Sequence, residues 1–244
     1  MNAHGHGTKK SNDQGVIFDL DGTLIDTVDL HAACWVEALK HFGVDVPFDD
    51  IRVQIGKGGD QILHGLLPPD LIEEKGEEIQ EFRSDLFKRE YMHKARPFPR
   101  VRELFERIKD SGQRAVLASS GTAGEVERYK EVAGIADLID DATSSDDAER
   151  SKPFPDIFQA ALAKLAPLGP DEAVVVGDTP YDAEAARKAG LKSVGVLCGG
   201  FPEEALRSAG CMAVYEGAED LVRNYERSPL AVTGGDVAGS GVAP

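Results

Sequence analysis

Positive charge, cysteine and long apolar runs are all scarce in this 244-residue chain, and each shortage closes off a class of function. Lys and Arg number 27 against 43 Asp and Glu, giving a formal net charge of −16. A duplex-binding protein needs a basic footprint, so nucleic acid is not an expected partner. The same acidity repels an anionic membrane surface. Cys34, Cys198 and Cys211 are odd in number, far apart and without C-x-x-C spacing. That argues against a disulfide framework or a structural zinc site. They read instead as reduced residues in or near the core. No apolar run approaches the ~20 residues needed to span a bilayer. Residues 1–14 are polar and lack the apolar centre of a signal peptide. A soluble, cytoplasmic protein is expected.

The remaining composition is that of a globular protein: 41% hydrophobic and 29% charged. The length suits one domain carrying a sizeable insert. Residues 1–13, rich in Gly, His, Asn and Lys, are expected to be a disordered tail, and His4 and His6 within it are not expected to be functional ligands. Residues 228–244, mostly Gly, Ala and Val without pattern, are expected to be a flexible tail.

Between the tails, short apolar runs alternate with helical patterns. Val16-Ile17-Phe18, Ala115 to Ala118, Ala173 to Val176 and Val194 to Leu197 read as strands, with Leu138-Ile139 as a weaker one. Continuous Val/Ile/Leu runs mark strands buried on both faces, as in parallel sheets. Val101, Leu104, Phe105 and Ile108 follow helical spacing and stop at Gly112. Helices are also expected over Pro155 to Leu165 and Asp182 to Ala189, the latter closed by Gly190. This succession predicts an α/β fold with a Rossmann-like, doubly wound parallel sheet, whose ligands sit at the carboxyl ends of the strands.

The connection from the first strand to the second is far longer than the ~10–12 residues a crossover needs. Residues 28–95 therefore read as an insert, leaving 14–27 and 96–227 as the core. One apolar stripe runs through Val28, Ala32, Trp35, Val36, Leu39 and Phe42 to Gly43, and another through Ile72, Ile79, Phe82, Leu86 and Phe87. The insert is expected to be a small helical domain hung on two linkers near the active end of the sheet.

The chemistry-bearing residues fall at strand ends. Asp19 and Asp21 lie two apart where the first strand stops, so both face one site if the pleat continues. Carboxylates that close repel unless a cation lies between them, and a hard divalent ion such as Mg²⁺ suits them. By itself, Asp21-Gly22 reads equally well as a turn. Ser119-Ser120-Gly121 follows the second strand; its hydroxyls and backbone N–H groups suit phosphate oxygens, and by itself it is a helix N-cap. Asp178 and Asp182 follow the strand ending at Gly177, and taken alone Asp182 merely favours a helix N-terminus. Lys152 precedes a proline, where a lone lysine is ordinarily a solvated loop residue. Four polar clusters at corresponding ends of one sheet are hard to explain as caps and turns alone.

In order and spacing, Asp19-Leu20-Asp21-Gly22-Thr23, Ser119, Lys152 and Gly177-Asp178-x-x-x-Asp182 resemble the four motifs of the haloacid dehalogenase-like hydrolases. The likeness covers about residues 15–225. The insert resembles the helical cap of the phosphoglycolate phosphatase and β-phosphoglucomutase branch, which Asp26-Thr27, His31 and Trp35 also match. The resemblance implies Asp19 as nucleophile, forming an aspartyl-phosphate. It implies Asp21 as the acid that protonates the leaving oxygen and then deprotonates water. Mg²⁺ would be held by Asp19, the Asp21 carbonyl and Asp178, with Asp182 orienting that set. Ser119 and Lys152, helped by Ser120, would bind the transferring phosphoryl group. Thr23 would position Asp21, and Gly22 would allow a tight backbone beside the phosphate. An acid at Asp21 favours phosphate-ester over dehalogenation or phosphonate chemistry, so the expected partner is a small phosphorylated metabolite.

Arg52 to Asp60 forms a Gly-rich loop whose Lys57 is a candidate contact to the leaving group, with His31 a candidate substrate or closure residue; each also reads as a solvated or satisfied polar side chain. Two departures from the branch stand out. Gly59 occupies the place where β-phosphoglucomutases carry an arginine for a second phosphate, which weighs against the alternative of a sugar phosphomutase. Arg100 stands where relatives commonly have Gly, and reads either as a stiffened hinge or as a residue facing substrate.

Overall fold

The computed structural model describes residues 14–231. His4, His6, residues 1–13 and the chain beyond 231 lie outside them. The first strand, β1 (Gly15–Phe18), is buried along its whole length. After the chain curls back it forms a short β2 (Ile25–Asp26) and enters four helices: α1 (Val28–His41), α2 (Phe48–Arg52), α3 (Gly59–Leu66) and α4 (Pro69–Leu86). It returns through β3 (Arg96–Pro97), which pairs antiparallel with β2. The two linkers thus zip into a ribbon that ties the insert to the core, a contact too short to read from the sequence.

The core continues with α5 (Val101–Asp110), β4 (Arg114–Ala118), α6 (Ala123–Ala133) and β5 (Asp141–Thr143). It then crosses to α7 (Asp156–Lys164), β6 (Ala173–Gly177), α8 (Pro180–Lys188) and β7 (Lys192–Val196). It ends with α9 (Glu203–Ala209), β8 (Ala213–Tyr215) and α10 (Ala218–Arg223). The sheet order is β5-β4-β1-β6-β7-β8, and every pairing in it is parallel. β1 lies at the centre. The chain winds outward on one side of it and then returns to build the other, so the crevice at the carboxyl ends of β1 and β6 is the switch point where α/β folds place ligands.

Alternation along the strands builds the layers. Val16, Phe18, Ala115 and Leu117 pack with α5 and α6 residues such as Leu104, Phe105 and Val126. Ile17, Val116 and Val175 point to the opposite face, against Ile157, Phe158 and Ala185 of α7 and α8. The insert owns a separate apolar cluster that includes Val28, Trp35, Leu39, Ile51, Ile62 and Ile79. Its first stripe is α1, closed by Gly43 at φ 78°; its second is α4. No helix among the described residues is long and apolar enough to cross a membrane.

Two details differ from the sequence reading. Leu138-Ile139 is not a strand: the Leu138 N–H closes a turn on Ile135 O, and the ladder with β4 begins only at Asp141. Two apolar residues are too few to distinguish a strand from a buried turn. Packed chain also reaches past Arg227, because Leu230 is fully buried and its carbonyl accepts from Gln113 Nε2 at 2.9 Å.

Arg100 adopts φ 62°, ψ 18° immediately before α5. Its side chain pairs with Glu103 of α5 at 2.5 Å. Its backbone is in a left-handed conformation, which suits Gly better. An exposed pair of this kind contributes little. Arg100→Gly is expected to raise stability by about 1 kcal/mol, a Tm gain of about 2–4 °C by differential scanning calorimetry. A fall in Tm would show that the Arg100–Glu103 pair outweighs the backbone strain.

Candidate active site

Beyond β1, Asp19 stays hooked to the sheet through its N–H to Val176 O at 2.9 Å. The next turn is tight. Thr23, Leu24 and Ile25 all direct their N–H groups to Leu20 O at 2.9–3.2 Å, and Gly22 sits at φ 83°. A Cβ on Gly22 would lie 2.3 Å from Asp178 Oδ2, so only Gly fits. The curl separates the two acids of the motif. Asp19 points to the buried crevice, while Asp21 turns toward the insert.

β6 delivers the next carboxylates. Asp178 follows Gly177, and Thr179 caps α8 in a reciprocal box with Asp182: Thr179 N and Oγ1 donate to Asp182 Oδ2 at 3.1 and 2.6 Å. Thr23 Oγ1 lies 3.2 Å from Asp19 Oδ2 and 2.9 Å from Asp178 Oδ1, bridging the two strand ends. Lys152, carried in ahead of α7, is 1% exposed. Its ammonium donates to Asp19 Oδ1 at 2.5 Å and Asp182 Oδ1 at 2.8 Å. The lone lysine of the sequence is thus the centre of a buried ion-pair group.

Asp19, Asp178 and Asp182 offer oxygens within 4.8 Å of one another. Three ionised carboxylates against one ammonium leave two negative charges uncompensated. Burial pushes the Asp19 carboxyl up to about 7 in spite of Lys152, which opposes it. Burial also drives Asp178 well above the carboxylate range, with the Asp19 and Asp182 charges adding to it. Lys152 is held well above its ordinary value; burial works against it, but Asp182 and Asp19 prevail. Asp178 Oδ2 is buried with no hydrogen-bond partner among the described residues. An unpaired carboxylate oxygen in such a place costs several kcal/mol unless something cationic meets it. The donor set, all oxygen, with one vacant oxygen and a deficit of two charges, fits a hard divalent cation.

Asp21 has a different environment. Its Oδ1 accepts from Thr27 Oγ1 at 2.6 Å and His31 Nε2 at 2.8 Å. Burial would raise its carboxyl, but His31, Thr27 and Tyr129 outweigh it and pull it down to about 2. Arg83 reaches His31 Nδ1 from α4. A guanidinium only donates, so with Arg83 at Nδ1 it is Nε2 that faces Asp21. His31 also stacks on Phe87 at 4.1 Å.

A cavity of about 330 Å³ lies between core and insert, and Asp19, Asp21, Lys152, His31 and Lys57 all line it. Ser119 is fully buried, its hydroxyl accepting from Gly121 N at 3.0 Å; it is Ser120 that lines the cavity. Lys57 Nζ donates to Gln54 Oε1 at 2.6 Å and sits 4.5 Å from the Tyr181 ring centroid. Burial lowers its pKa. Gly58 presses on the core so closely that a Cβ would stand 1.9 Å from Ser151 Oγ. Arg52 pairs with Asp29 at 2.7 Å and reaches Gly199 O at 3.3 Å, outside the cavity.

Sequence reasoning missed Arg83 and Glu125. Glu125 is 1% exposed, lies 3.6 Å from Arg83, and both residues line the cavity. A signal existed: Arg83 stands between Ile79 and Phe87 at i+4 spacing, a charge within the buried stripe of α4. Glu125 was hidden by its second task, since Thr122-x-x-Glu125 is also the capping box of α6.

The family described as haloacid dehalogenase-like hydrolase matches residues 16–196, which takes in both strand ends and Lys152. This chain is a haloacid dehalogenase-like hydrolase. Among relatives, the chloroplastic protein Suppressor of Quenching 1 of Arabidopsis thaliana is 32% identical over 210 residues. That match covers 80% of this chain but only 19% of the longer plant protein. Phosphoglycolate phosphatase of Caulobacter vibrioides is 27% identical over 217 residues, covering 86% of this chain and 90% of that one. The crystal structure of a hydrolase from Pseudomonas syringae superposes with a TM-score of 0.81 at 31% identity, covering 88% and 98% of the two chains. Family and phosphatase-named relatives together support a phosphatase hydrolase.

The charge deficit has a measurable consequence. A carboxyl raised by folding binds its proton more tightly in the folded chain, so stability is lost as pH rises from about 4 through about 7. A cation replaces those protons. Excess Mg²⁺ is expected to raise Tm by at least about 5 °C near pH 8 and by clearly less near pH 5, read by differential scanning fluorimetry. An equal gain at both pH values would contradict the assignment of Asp19 and Asp178 to a cation.

Proposed function

We propose that the enzyme hydrolyses a small phosphate monoester with Mg²⁺, through an aspartyl-phosphate on Asp19. The observation that carries the reading is the convergence of Asp19, Asp178, Asp182 and Lys152 on one buried crevice, with Asp178 Oδ2 left unpartnered. Asp19, Asp178 and the Asp21 carbonyl would hold the ion, with Asp182 steadied by Lys152 and Thr179. When bound, Mg²⁺ supplies charge neutralisation, lowering the Asp19 carboxyl and offsetting the phosphoryl oxygens.

Asp19 attacks phosphorus in line with the leaving oxygen, and the P–O bond to that oxygen breaks. Asp21 gives the departing alkoxide its proton. Lys152, with hydroxyl and backbone donors of the Ser119-Ser120-Gly121 turn, balances the charge of the transferring group. Asp21 then takes a proton from water, which attacks phosphorus; the Asp19–phosphorus bond breaks, and inorganic phosphate and free Asp19 result. The contacts to Thr27 and His31 keep Asp21 ionised, the form that takes a proton from water. Donation to the leaving oxygen requires those contacts to break and Asp21 first to take up a proton from solvent, the proton that water returns to it in the second half of the cycle. The helical insert acts as a cap: its Gly56–Gly59 turn seats on Ser151 and Thr179 and shields the crevice from bulk water.

A phosphomutase must hold a second phosphate. Gly59 offers no side chain for that, and Lys57 is already engaged by Gln54 and Tyr181. Hydrolysis is therefore the favoured outcome.

With Mg²⁺ and a panel of small phosphate esters, phosphate release is expected for several, and Asp19→Asn is expected to lose at least about 10³-fold in kcat. Chromatography of a hexose 1-phosphate reaction should show free sugar rather than the 6-phosphate. Release from no ester, or an Asp19→Asn variant as active as wild type, would refute the proposal.

A further inference from the structure

Resting on that reading, we infer that the leaving group is an uncharged polyol or sugar, and that Glu125 and Arg83 enforce this by rejecting a second anionic group. The cavity is about 330 Å³, at the small end of the ~300–1,000 Å³ typical of small-molecule sites. It suits a metabolite-sized ester.

Away from Lys152 the cavity carries two cations, Lys57 and Arg83, and neither is free. Lys57 is taken up by Gln54 and the Tyr181 ring. Arg83 is taken up by His31 Nδ1 and Glu125, and lies 4.9 Å from the Phe87 ring. Three further acids line the cavity: Asp60, Glu81 and Glu125. A leaving group with its own carboxylate or phosphate would meet an excess of negative charge and no uncommitted cation. One uncompensated like-charge contact in a partly buried site is worth about 1.4 kcal/mol or more, a factor of ten in binding.

The rest of the lining suits hydroxyls. Gln80, Ser84, Ser120, Thr122, Ser145 and Ser151 contribute polar groups, and Trp35 and Ile62 contribute apolar surface. That mixture of polar and apolar lining matches the hydroxyls and C–H groups of a sugar. Glu125 Oε1 strengthens the case. Its partner oxygen Oε2 is occupied by Thr122 at 2.7 Å, whereas Oε1 has no hydrogen-bond partner among the described residues and only the Arg83 guanidinium nearby, at 3.6 Å. Arg83 Nε is likewise unpartnered among the described residues. Both atoms are closed off from solvent, so a ligand hydroxyl, which both donates and accepts, satisfies them only as Arg83 and Glu125 part to admit it. A carboxylate or phosphate only accepts, and it would leave Glu125 opposed by a second charge.

The test is a kcat/KM ranking of the wild-type Mg²⁺ enzyme on two sets of probes, with acetyl phosphate as a common reference for turnover. Ribose 5-phosphate, fructose 1-phosphate and glycerol 3-phosphate carry neutral leaving groups. Phosphoglycolate, pyrophosphate and glucose 1,6-bisphosphate carry charged ones. The best neutral probe is expected to exceed every charged probe by at least about tenfold. Glu125→Gln, which keeps the capping box, is expected to shrink that ratio by about tenfold, chiefly through KM. A charged probe ranking first, or a ratio unmoved by Glu125→Gln, overturns the inference while leaving the phosphatase intact, because acetyl phosphate turnover persists. Loss of turnover on acetyl phosphate and on every ester removes both together.

Discussion

Everything in this molecule turns on a charge imbalance: three buried carboxylates and a single buried ammonium at the carboxyl ends of β1 and β6. Left alone, such a group is costly, because each charge has been taken out of water. The fold contains it in several ways. Lys152 bridges Asp19 and Asp182, Thr23 bridges Asp19 and Asp178, and Thr179 satisfies the remaining oxygen of Asp182. One oxygen of Asp178 is still unmet. A structural ion-pair group would complete its own hydrogen bonding, whereas one that receives a cation, as proposed, would not. The unsatisfied oxygen lies at the position where parallel sheets place ligands.

Much of this was legible in the residues. The Val/Ile runs announced the buried parallel strands because a strand covered on both faces has no polar alternation to confuse it. The acids announced the site because Asp19 and Asp178 end apolar strands, where the core has no use for charge. The excess length before Arg114 announced the insert. What stayed hidden depends on contacts between distant segments. The β2–β3 ribbon is two residues wide on each side, the edge strand β8 is only Ala213–Tyr215, and the Leu138-Ile139 run packs as a turn. Side-chain aim was hidden as well. Asp21 shares a motif with Asp19, yet the curl at Gly22 sends it to Thr27 and His31. Of the Ser119-Ser120 pair, only Ser120 lines the cavity.

The insert brings its own polar network to the chemistry. A chain of contacts runs from Asp21 through His31 and Arg83 to Glu125, crossing from the core to the insert and back. Its members fix one another. Arg83 holds Nδ1 of the imidazole, which leaves Nε2 facing Asp21. The same Arg83 and Glu125 form part of the wall that a leaving group meets. On the proposed reading, arrangement of the acid and choice of substrate share residues, drawn from the insert and the core together.

The central claim is that one divalent cation completes the carboxylate group. Anomalous diffraction from crystals soaked in Mn²⁺ tests it most directly. The account predicts one dominant peak bonded to Asp19 and Asp178 at about 2 Å. Peaks confined to surface carboxylates, with the Asp19–Asp178 crevice empty, would contradict it.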